Sequence, residues 1–305
     1  MFSISFAAMR PLRSVAIYFA FIFLGGALLA PWIFWLVQTL GLHQLTQYPF
    51  HKFVTRSFEV LALAGLWPFL HSLQIRSWRE VGFCPPKTEW RKLSTGLALG
   101  FCSLALVALI TIVAGVREPR IGHSLAKFFL FLIKAGLAAV VVAALEELLF
   151  RGVLFGALRK VHGWISALIF SGAFFGIVHF FERKPPKPET IQWFSGFTTL
   201  GEMLRGFGDF EQLVPGFFTL FLVGALLALA YQRTGSLYFS IGLHAGWIFW
   251  LKSYGFLTRA STPANSWFWG TGKLINGWLA FLILAVLLGI FLRWPALFVR
   301  KENSA

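Results

Sequence analysis

The chain has 305 residues, 57% of them hydrophobic and only 13% charged. A soluble domain carries about 45–50% apolar and about 25% charged residues, so a mean hydropathy of +0.72 leaves too little charge for a water-facing surface and nearly excludes a soluble globular enzyme. Thirty-six Phe and 13 Trp exclude disorder. The net charge of +15 sits mostly between apolar runs, so it reads as topology-setting loop charge that meets anionic headgroups, with no nucleic-acid partner.

What remains is an all-α polytopic transmembrane helical bundle, multi-pass in a membrane, with the bacterial inner membrane as its expected location. A β-barrel would show short alternating segments, whereas the apolar runs here are long and continuous. A spanning helix needs about 20 mostly apolar residues. Eight runs meet that expectation, at about 15–39, 55–75, 94–116, 128–158, 163–181, 214–232, 236–254 and 275–298. Arg10 and Arg13 precede the first run as in a signal peptide, but the run is too long for a cleaved one and reads as a retained helix. Two connections stand out. Residues 76–92 carry five basic residues around Cys84-Pro85-Pro86, a cluster that favours a cytoplasmic N-terminus. Residues 182–213 open as a polar, proline-rich loop and become amphipathic at Trp193, Phe194, Phe197, Met203, Leu204 and Phe207, the pattern of a lid, an interfacial helix or a plain surface loop. Cys84 and Cys102 make neither a structural disulfide nor a zinc-type spacing. No repeat is evident, and 1–305 reads as a single membrane domain.

Ionisable residues inside apolar helices are costly, so each is a functional candidate. Arg56, Glu59, His71 and Arg293 lie near helix ends, where snorkelling accounts for them. Deeper in lie Lys134, Glu146, Glu147, Arg151, His179 and His244. Glu147 and Arg151 are spaced i,i+4 and share a helix face, while Glu146 points about 100° away. The simplest division makes Glu147–Arg151 an internal ion pair and leaves Glu146 for chemistry. The bland alternative is a buried charge network that only holds helices together.

Phe175-x-x-x-His179 ends the next run, and the turn between the two runs falls near His162-Gly163. At about 1.5 Å per residue, Glu146 and His179 would each lie about 24 Å from that turn, at one membrane depth. His244 follows the tight connection Arg233-Thr234-Gly235-Ser236, flanked by Gly242, Ala245 and Gly246, which permit close helix approach. One carboxylate and two imidazoles in a bundle interior are the minimum set for activating water: Glu takes a proton, one His orients the water, the other donates to a developing oxyanion. The same three residues, Glu146, His179 and His244, could instead ligate zinc, although no HExxH helix favours it.

The ordered set Glu146-Glu147-x-x-x-Arg151, Phe175-x-x-x-His179 and His244 after a Thr-Gly-Ser turn resembles the CPBP family, the CAAX proteases and bacteriocin-processing (Abi) membrane enzymes that include the Ras-converting type of prenyl-protein endopeptidase. The resemblance covers about 140–250, read as the catalytic core. It implies an intramembrane endopeptidase acting on a membrane-associated or lipidated polypeptide within the lipid bilayer. In it Glu146 would activate water with His179, His244 would stabilise the oxyanion, and Glu147 and Arg151 would support them. The family was long regarded as metalloproteases, whereas its Ras-converting type points to a glutamate-dependent, metal-free mechanism. One position departs: the family's third motif usually carries Asn or Asp four residues after the histidine, and here that residue is Ile248, with Ser240 one turn earlier as a conceivable substitute. The departure keeps a non-enzymatic immunity or scaffolding membrane protein as the rival reading, and a transporter using the carboxylates as a relay as a third.

Overall fold

The computed structural model describes residues 6–182, 190–208, 210–261 and 265–293. Twelve helices are named here in chain order: α1 (Phe6–Ala20), α2 (Gly26–Thr39), α3 (His43–Thr46), α4 (Phe50–Ser72), α5 (Pro86–Val113), α6 (Leu125–Glu147), α7 (Gly156–Val178), α8 (Ser195–Leu204), α9 (Phe210–Thr234), α10 (Leu237–Leu257), α11 (Ser266–Trp269) and α12 (Trp278–Arg293). Wider π-helical turns join α1 to α2 at Phe21–Gly25 and α6 to α7 at Leu148–Phe155. Two short strands, β1 (Arg117–Pro119) and β2 (Thr258–Ala260), pair antiparallel.

The molecule is a polytopic helical bundle. Among the described residues, five stretches are long and apolar enough to cross a membrane: Arg13–Thr39, Phe50–Ser72, Trp78–Val113, Leu125–Val178 and Leu213–Thr234. The fourth holds two of the eight expected helices, because Gly163 adopts φ 79°, ψ 165° and breaks the helix where the sequence places its turn. Only glycine enters that region without strain. The seventh and eighth expected runs fall on α10 and α12, which are not among those five stretches; α12 has 16 described residues, and positions 294–298 of its expected span lie outside them.

The chain divides into two compact units. The first comprises Met1–Arg76 and Ile177–Asp209. Within it the amphipathic stretch expected after residue 193 forms helix α8, and residues 183–189 of the preceding proline-rich segment lie outside the described residues. Helix α8 seats so closely on α2 that a Cβ at Gly196 would fall on the Ala27 carbonyl. Met203 completes a core with Ala30, Val37, Phe50, Phe53 and Val54.

The second unit comprises Ser77–Gly176 and Phe210–Ala305. Helix α10 is its axis: every residue from Phe239 to Ile248 is buried, as befits a helix apolar all round. Gly235, at φ 62°, makes the tight turn from α9, and the Ser236 hydroxyl caps α10 by accepting from the Tyr238 amide at 3.3 Å. Four glycines join α10 to α5. A Cβ at Gly96 or Gly100 would strike the Phe239 or Leu243 carbonyl, one at Gly242 the Leu93 carbonyl, and one at Gly246 the backbone around Gly100 and Phe101. Beyond this seam Trp247 Nε1 donates to Ser103 Oγ at 2.9 Å, and the hydroxyls of Thr111 and Tyr254 meet at 2.9 Å. Past the C-terminus of α10, Arg117 reaches Thr258 and lies over the Tyr254 ring at 4.7 Å.

Candidate active site

Helix α6 ends on Glu146 and Glu147, and the π-helical stretch that follows carries Arg151. Such wide turns recur at functional sites. Glu147 and Arg151 are fully sequestered, with side-chain exposures of 0% and 1%. Arg151 Nη1 donates to Glu147 Oε1 at 3.0 Å, and Nη2 to the Gly224 carbonyl of α9 at 3.3 Å. The guanidinium also lies over the Phe175 ring at 4.5 Å. A charge in so apolar a place needs these partners, because burying it alone would cost several kcal/mol.

The structure brings His244 to the same carboxylate. Its Nδ1 lies 2.8 Å from Glu147 Oε1, so one oxygen of Glu147 serves both Arg151 and the imidazole. The other ring nitrogen, Nε2, faces Glu146 Oε2 at 3.7 Å, beyond a hydrogen bond. Phe175 stands edge-on to the imidazole, ring centroids 5.7 Å apart. Glu146 is the more accessible acid, with 26% side-chain exposure against 5% for His244. Four of the five residues given a role at the site therefore converge in one unit. The fifth, His179, opens a 3₁₀ turn at His179–Glu182 in the other unit. Lys134 lies on the exposed side of α6, apart from this cluster, and Arg56 and Glu59 form an exposed ion pair on α4.

Two features were beyond sequence reasoning. Glu147 and His244 are 97 positions apart, and nothing local announces their contact. Phe175 was visible only as a motif letter, whereas it fills the space between Arg151 and His244. The site also lies close to the turn between α9 and α10. His244 follows Ser236 by eight positions and Gly224 precedes Thr234 by ten, which puts the cluster about 12–15 Å from the α9–α10 turn. Nearer that turn, Arg159 Nη1 donates to Gln232 Oε1 at 3.2 Å.

Ile248 is buried one turn after His244, and no polar atom occupies its place. The Ser240 hydroxyl, the conceivable substitute, donates to the Leu237 carbonyl at 3.0 Å. Among the described residues no group of three His, Cys, Asp or Glu is arranged to hold a metal ion.

Residues 127–250 match the family described as type II CAAX prenyl endopeptidase, Rce1-like. The match spans 124 of the 305 residues. A curated relative, the uncharacterized protein YyaK of Bacillus subtilis (strain 168), is 26% identical over 245 residues, covering 77% of this chain and 71% of its own. No solved structure matches. The matched segment contains all five of Glu146, Glu147, Arg151, His179 and His244.

Proposed function

We propose that the chain is an intramembrane endopeptidase, resident in a bacterial inner membrane, that hydrolyses a peptide bond in a membrane-associated or lipidated polypeptide of CaaX type. The observation that carries this reading is His244, held at Nδ1 by the buried Glu147 and turned with Nε2 toward the more accessible Glu146. A base oriented by a third group is the arrangement hydrolases use to fix an imidazole.

Glu146 accepts a proton from water, and the resulting hydroxide adds to the scissile carbonyl carbon. Glu147 Oε1 accepts from Arg151 and from Nδ1–H, which leaves Nε2 to face the reacting groups. With a proton on Nε2 as well, His244 is an imidazolium between two carboxylates, and the charges of Glu146, Glu147, Arg151 and His244 sum to zero. Nε2–H then donates to the oxyanion of the tetrahedral intermediate. Collapse breaks the C–N bond, and the proton held by Glu146 passes to the leaving amine. The part of His179 in orienting the water is carried by its motif.

Ile248 favours the rival reading of an immunity or scaffolding protein, because the family's usual polar partner is missing. One comparison separates the two. Protein termini in membranes carrying the wild type are compared by mass spectrometry with those carrying Glu146→Gln at matched expression. The protease reading expects one or a few polypeptides to keep an uncut terminus in the mutant alone, with its melting temperature unchanged in detergent. Unchanged termini from a folded, abundant mutant would transfer the assignment to the rival.

A further inference from the structure

We propose that residues 77–92 form a docking site for anionic lipid headgroups. Helix α5 is 28 residues long, about 42 Å, against a hydrocarbon layer of about 30 Å, so its first turns stand in the headgroup layer. There Trp90 is 64% exposed, and Trp78 in the preceding turn 51% exposed. Indole rings at this level are the mark of a bilayer interface. Arg79, Lys87 and Arg91 are exposed beside them, and none has an ion-pair partner among the described residues. Of the two acids of the segment, Glu80 is exposed but held by its own turn, and Glu89 is buried. Glu80 accepts from the amide and hydroxyl of Ser77 at 2.9 and 3.0 Å, and buried Glu89 pairs with Lys92 at 2.8 Å. The outward face thus sets two indoles and three cations against the single exposed carboxylate of Glu80, which fits a phosphate-bearing headgroup above an acyl chain.

The segment is also anchored to the elements that carry the site. Gly82 accepts from the amide of Leu237, the first residue of α10, at 2.9 Å. The Val81 carbonyl lies against Gly152, next to Arg151: a Cβ there would come within 2.9 Å. A bound headgroup would therefore brace both helices at their shared end. This inference stands apart from any proteolytic activity.

The test uses the full chain in nanodiscs of zwitterionic phosphatidylcholine with a minority of anionic phosphatidylglycerol. Native mass spectrometry reads the lipids that stay bound, and thermal unfolding reads stabilisation. We expect phosphatidylglycerol to be retained about tenfold over phosphatidylcholine and to raise the melting temperature. Lys87→Gln with Arg91→Gln should erase both effects, whereas Lys273→Gln, in the connection before α12, should leave them intact. Equal retention by the double variant and the wild type would overturn the proposal. So would an absence of phosphatidylglycerol preference together with binding of a polyglutamate peptide, which would make the face a site for acidic polypeptides instead.

Discussion

The glycine seam makes a prediction that needs no substrate. In Gly242→Ala the new Cβ meets three backbone atoms: the Leu93 carbonyl oxygen, the Leu97 nitrogen at 2.8 Å and the Leu93 carbonyl carbon at 3.0 Å. No side-chain rotation relieves a clash with backbone, so α10 must move off α5 by about 1 Å. Overpacking of that kind costs about 1–3 kcal/mol, which for a chain of this size lowers the melting temperature by about 2–10 °C. His244 lies two residues on and moves with the helix, so its 2.8 Å contact with Glu147 is disturbed by a similar amount. A displacement of about 1 Å at a catalytic group can reduce turnover about 100-fold. The control is Gly136→Ala on α6, whose Cβ would find no atom within 4 Å. There the better helix propensity of alanine leaves stability equal or raises it by up to about 1 kcal/mol. Thermal unfolding in detergent compares the two. If Gly242→Ala and Gly136→Ala melt within about 1 °C of each other, the claim that backbone contact seats α10 is wrong.

Two further outcomes follow from the same unit. Glu147→Gln leaves Arg151 buried beside a neutral amide and should destabilise by about 3–5 kcal/mol. Adding Arg151→Met should recover part of that loss, and a double-mutant cycle in detergent that returns strict additivity would dissolve the pair. Trp247→Phe and Ser103→Ala each remove one hydrogen bond between α10 and α5, at a cost of about 1 kcal/mol. Together they should cost little more than either alone, and a summed effect would mean that the 2.9 Å contact carries no stability.

Much of the bundle was legible because the bilayer demands it. Long apolar runs announce α4, α5, α9 and α10, and Gly163 and Gly235 mark breaks that only a residue without a side chain makes cheaply. Residues 195–204 showed their amphipathic pattern, which settles as helix once Met203 and Gly196 find α2 and its neighbours. The π-helical turn at Leu148–Phe155 left no such trace, because its side chains are as apolar as those of an ordinary helix. The adjacency of Glu146 and Glu147 was plain. That Glu147 would hold the histidine as well as the arginine depends on a contact across 97 positions, which only the packed structure supplies. The grouping of Ile177–Asp209 with the first 76 residues is likewise invisible in a linear reading, since it depends on contacts between segments far apart in the chain.

The closeness of α5 and α10 bears on temperature. Inside hydrocarbon, a helix that exchanges lipid for a neighbour gains nothing from released water, and its hold is van der Waals contact. Such a hold lacks the heat-capacity signature of apolar surface withdrawn from water. A water-driven core slackens on cooling; four glycines against backbone do not. The imidazole of His244 therefore keeps its place in the cold, and the temperature response of this unit is set by the loops and helix ends that water can reach.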